Sequence, residues 1–174
     1  MNGLKMRVFL LCPIMFLMIS CGGQEEGNVS DGTDAEALEA DRSTDPDQLA
    51  GEIADNYLAC MDELETLLAD RPEPEALKPL LSELTERYID IFVGIGYRVD
   101  THDSTAVDGI GRSVMSRIYG IDIDWMGEAS SYYHPLDTEV SAMIGELNII
   151  TQYAFFELLE RQRPSEAERL GLVD

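Results

Sequence analysis

Histidine, lysine and cysteine are scarce in this chain, and their scarcity removes most common chemistries. Its two histidines, His102 and His134, are too few for a di-iron bundle, and neither has a glutamate three residues before it. No C-x-x-C-H haem attachment occurs. Lys78 is the only lysine after residue 20, so no Walker lysine follows a glycine-rich loop. Gly94 and Gly96 give G-x-G, but Val99 stands where the third glycine belongs, and the pair ends a predicted helix instead of opening one. G-x-S-x-G is absent. Asp122, Asp124 and Gly127 match three positions of a calcium loop, yet Met126 and Tyr133 occupy its fifth and twelfth. No catalytic residue, metal-ligand set or cofactor is assigned from the sequence, and no enzyme class follows.

No intrachain disulfide framework is available. Of three cysteines, Cys12 lies in an apolar leader, Cys21 follows it directly, and Cys60 stands alone in a helical pattern. A lone helical cysteine is ordinarily a small buried apolar residue, and Asp62 and Glu63 beside Cys60 disfavour its thiolate. Positive charge is equally short. The 174 residues carry 34 acidic and 12 basic side chains. Lys5 and Arg7 fall within the first 20 residues and every acid lies later, so the chain from Cys21 onward carries −24. Such a charge repels nucleic acid and anionic headgroups at long range, and no nucleic-acid partner is expected. It also keeps a tethered domain soluble.

No apolar run reaches the roughly 20 residues of a spanning helix. The longest run, residues 8–19 (VFLLCPIMFLMI), has 12 residues and follows a basic start, as in a secretory leader. The leader ends Met18-Ile19-Ser20-Cys21, with Leu17 beside Met18. These residues resemble the lipobox of bacterial lipoproteins, although Met18 replaces the preferred leucine. The resemblance covers residues 1–21. It implies cleavage before Cys21, a diacylglyceryl thioether on that cysteine, and acylation (palmitate or similar) of its new amino group. Stable anchoring takes at least two chains at about 0.8 kcal/mol per buried CH₂, which this modification supplies. Gly22, in place of the aspartate that tends to retain lipoproteins, favours the outer membrane if the cell has two.

Residues 21–48 contain the lipidated cysteine and then a spacer with no aromatic residue, only Val29 and Leu38 as large apolar ones, nine acids and Arg42. Such a stretch buries too little to offset its ordering entropy and is expected to be a disordered tether spanning roughly 30 Å. The folded domain is expected over 49–174. Asp45-Pro46-Asp47-Gln48 reads as a helix start. Leu49, Ile53, Tyr57, Met61, Leu64 and Leu68 then recur at three and four residues, to about Asp70. A second helix carries Leu77, Leu81, Leu84, Tyr88, Phe92 and Ile95, closes at Gly94 and Gly96, and tolerates Pro79 only in its first turn. The third spans Ser104–Tyr119, with Val107, Ile110, Val114 and Ile118 inward. Its Gly109 and Gly111 suggest close approach of a neighbouring backbone, and Gly120 terminates it. Residues 121–134 read as either a short helix or an ordered loop. Pro135 and Asp137 open a long, strongly apolar helix to about Gln162, and Ser165 with Glu168 caps a terminal turn. The expectation is an all-α fold: one antiparallel bundle of about four main helices behind the tether.

One constellation stands out. Asn148, Thr151 and Gln152 form a polar spot on the apolar last helix, and Trp125, Tyr132, Tyr133 and His134 lie in the irregular segment before it. A polar spot roofed by aromatics can bind a small ligand. Trp125, Tyr132, His134, Asn148 and Gln152 are therefore the candidate ligand residues, and Cys21 is the lipidation site. Arg112 and Arg117 stand nearby on the third helix. The leading functional expectation is a membrane-anchored, non-catalytic binding or scaffolding module acting on another envelope protein. The alternative is a small-ligand or metal-binding bundle using residues 120–136.

Overall fold

A computed structural model describes residues 44–172. The leader, Cys21 and the tether up to residue 43 lie outside the described residues. Among those described are seven α-helices, one 3-10 helix and no strand. The fold is all-helical, as the periodicity predicts. No described helix is long and apolar enough to cross a membrane.

Helix α1 spans Pro46–Leu68 and starts where its residues dictate. The Asp45 carboxylate accepts from the Asp47 and Gln48 amides, and Pro46 holds the first helical position. Its stripe from Leu49 to Leu68 is buried as predicted. Arg71, at φ 47°, turns the chain toward α2, Pro74–Val99. That helix continues through Pro79, beyond its first turn. Pro79 is solvent-exposed, so water can reach the Glu75 carbonyl that the missing N–H would have served.

Gly94 and Gly96 do not end α2, which continues to Val99. A Cβ on Gly96 would stand 2.7 Å from Phe156 Cζ and 3.1 Å from the Tyr153 carbonyl oxygen. The glycine is there for packing, not for termination. The third helix behaves in the opposite way. In α3, Ser104–Ile118, a Cβ on Gly109 would meet open space, and one on Gly111 would only touch Phe155 at 3.9 Å. The expected backbone approach at these two glycines is absent. Gly120, at φ 85°, does terminate the helix.

Residues 121–134 resolve as a short helix, α4, Asp124–Tyr133. The long helix expected from residue 137 to 162 is broken into three pieces. Helix α5 covers Thr138–Leu147 under an Asp137 cap, a 3-10 helix covers Ile150–Ala154, and α6 covers Phe156–Gln162. Asn148 caps α5 at its C-terminus, and Phe155 (φ −131°, ψ 88°) makes the second break. Consecutive β-branched residues Ile149, Ile150 and Thr151 crowd the preceding turn and weaken helical propagation there. Helix α7, Pro164–Arg169, begins on Pro164 after Arg163; Ser165 lies inside it and caps nothing.

Helix α1 packs most extensively on α3, and α2 packs on the 3-10 helix. Helices α4 and α5 pair with each other, joined in part by Ser130 Oγ and Ser141 Oγ at 2.8 Å. One core joins all of them, with Phe92, Leu64, Ile144 and Tyr133 at its interior. Tyr133 donates its hydroxyl to the Pro72 carbonyl at 2.8 Å.

Candidate functional site: a cleft between the third helix and the broken last one

Only Ile110 and Val114 of the α3 stripe are fully buried, while Val107 and Ile118 are half-covered. Its apolar face is wider than the core that covers it. The surplus forms one wall of a cleft of about 1050 Å³. The opposite wall is the broken stretch of Asn148, Thr151, Gln152, Phe155 and Phe156. Tyr57 of α1, Val99, Asp100 and His102, and Tyr119, Gly120, Ile121 and Ile123 complete the lining.

The predicted polar spot is assembled here. Asn148 Oδ1 accepts from the Tyr57 hydroxyl at 3.1 Å. Burial, with Cys60 nearby, pushes the Tyr57 phenol up, so it remains a donor at neutral pH. Gln152 also lines the cleft. Its Oε1 is shielded from solvent and has no hydrogen-bond partner among the described residues. A buried acceptor without a donor costs about 1–3 kcal/mol, so a donor reaching Gln152 Oε1 from the cleft would be favoured.

The aromatic roof is elsewhere. Trp125, Tyr132 and His134 are not among the residues lining the cleft. Trp125 is half-buried against the core from α4. Tyr132 stacks edge-on with Tyr133 and carries the Arg71 guanidinium 4.6 Å from its ring centre. His134 is exposed and caps α4 at its C-terminus, donating its amide to the Ser130 carbonyl. Once 124–133 winds into a helix, its side chains are spread around an axis, and its packing against α5 turns them from the cleft. From the 120–136 segment only Gly120, Ile121 and Ile123 reach the cleft. The aromatic residues there are Tyr57, Tyr119, Phe155 and Phe156.

Charged groups ring the cleft. Arg112 of α3 and Arg161 of α6 line it, as do Asp100, Asp108 and Glu157. Arg117 does not; it donates to the Asp47 carbonyl at 3.4 Å and lies beside Gly51. At the rim, His102 Nε2 donates to the Thr44 carbonyl at 2.8 Å, which ties the first described residue to the cleft. Arg161 and the Phe155-Phe156 pair are not marked by the polar spacing of the sequence.

Among the described residues, no group of three His, Cys, Asp or Glu side chains is placed to hold a metal ion. Cys60 is fully buried, and burial together with Glu63 pushes its thiol up to about 12, with Arg87 opposing weakly. A smaller hollow between α1 and α2 is lined by Asp62, Glu63, Leu67, Leu80 and Arg87. Arg87 is already engaged there, in an ion pair with Glu63. Compared with protein-family models, curated proteins and solved structures, the chain matches none.

Proposed function

We propose that this chain is a lipoprotein of the bacterial envelope, anchored through lipid on Cys21, whose helical domain is a non-catalytic binding module. The anchor rests on the basic start, the 12-residue apolar run and the LMISC junction. Its membrane would be the outer one where two exist, in keeping with Gly22. The finer arrangement belongs to the same reading. Short links at 69–73 and 100–103 make α1, α2 and α3 successive antiparallel members of a bundle completed by the broken last helix.

The observation that carries the binding role is the cleft. At about 1050 Å³ it is at the upper end of small-molecule sites, with apolar walls and a few polar groups, including the unpartnered Gln152 Oε1. This favours a small ligand in the cleft over the metal and the 120–136 aromatics of the sequence expectation. A scaffolding role toward an envelope protein is the second reading. It draws on Met115 and Tyr119, which line the cleft and are 61% and 89% exposed.

Two measurements test this. Metabolic labelling with an alkyne fatty acid should mark the chain and fail on Cys21→Ser; retained label removes the anchor. Native mass spectrometry of protein taken from its membranes should show a bound small molecule that Met115→Glu loses. A bare mass for the unsubstituted protein would reject the small-ligand role.

A further inference from the structure

We infer that the ligand of this cleft is an amphiphile with an apolar tail and a single carboxylate head, bound by the guanidiniums of Arg112 and Arg161. The inference rests on the cleft-binding role and names its ligand class.

The described residues hold nine cationic side chains, and seven have an evident engagement. Lys78, Arg87, Arg98, Arg163 and Arg169 form ion pairs. Arg71 lies over the Tyr132 ring, and Arg117 donates to a main-chain carbonyl. The two that remain are Arg112 and Arg161, and both line the cleft. In a chain with 34 acidic residues, cations without a carboxylate are unexpected. Asp108 lies one helical turn before Arg112, and Glu157 one turn before Arg161, at the spacing that favours pairing. Neither forms an ion pair. Two guanidiniums thus stand without an ion pair on a cleft whose lining also includes Val107, Met115, Ile118 and Phe155.

A guanidinium offers paired donors that match a carboxylate, and such charge-assisted contacts are the strong ones. The remaining charges set the upper limit on the head. Asp100, Asp108 and Glu157 border the same cleft, and the chain from Cys21 onward carries −24. A polyanion meets that field with every charge it bears, whereas a monoanion loses little. The apolar walls then select a tail.

The test uses the full lipidated chain reconstituted in phosphatidylcholine vesicles. The probes are a diazirine analogue of palmitic acid and its methyl ester, with crosslinked residues mapped by peptide mass spectrometry. The acid should label cleft residues such as Met115 and Phe155. The double variant Arg112→Gln/Arg161→Gln should lower that labelling by about tenfold or more at limiting probe. Both arginines are exposed, so folding is not at stake, and Arg87→Gln, outside the cleft, should leave labelling unchanged. Equal cleft labelling by the ester, or labelling unchanged in the double variant, overturns the carboxylate assignment and leaves the binding role standing. Labelling of the cleft by neither probe overturns both.

Discussion

Gly96 shows how much one missing methyl can carry. The ring of Phe156 and the carbonyl of Tyr153 occupy the space a Cβ would need, and Gly96 itself is buried in α2. Gly96→Ala should therefore destabilise the domain by about 1–3 kcal/mol despite alanine's better helix propensity. Urea denaturation would read the loss. A combined Gly96→Ala/Phe156→Ala variant should fall short of the sum of its single effects, because both act on one contact. Additive losses would mean that the ring is not what constrains the glycine. Gly94, two residues earlier, has nothing within 4 Å of its virtual Cβ and should accept alanine without that penalty. The sequence presents the two as equivalent; only the neighbour supplied from sixty residues away tells them apart.

At the level of elements, Asp137 joins two helices. It caps α5 through the Glu139 and Val140 amides, and it lies 2.7 Å from Lys78 of α2. Lys78, with help from the amides, holds its carboxyl below the usual value. The folded-state pKa is thus lower than the unfolded one. The contribution is whole above the unfolded value of about 4 and drains away as pH falls through the folded value. Glu63, held low by Arg87 and Tyr88, acts in the same direction. Thermal melts from pH 7 downward should show stability falling most steeply below about pH 4, and Asp137→Ala should flatten that slope. An unchanged slope would separate the cap from acid sensitivity. Helix positions were legible because apolar spacing and capping chemistry are local. Asp45 and Asp137 both cap where their sequences suggest, and Asp103 caps α3 in the same way. The break after Leu147 was hidden because the apolar spacing from Val140 to Leu159 continues through it without a proline, and its one glycine, Gly145, lies inside α5. Asn148 and Gln152, which line the cleft, stand out in the sequence because polarity in an apolar stripe is also local. Which aromatics face them depends on how α4 docks on α5, and no local pattern encodes that.

For the whole molecule, the imbalance of charge dominates. With a net charge of −22 over the sequence, self-repulsion opposes compaction, and most described cations are already engaged. Added salt should raise the melting temperature, most steeply below about 0.1 M, where screening lengths exceed about 10 Å. A melting temperature indifferent to salt would place the repulsion in the unfolded chain as much as in the folded one.

The hydrogen bond from His102 to the Thr44 carbonyl gives this molecule a mechanical geometry. It couples the residue that leads into the Asp45 cap of α1 to a residue lining the cleft, so that displacement of Thr44 and displacement of His102 are no longer independent.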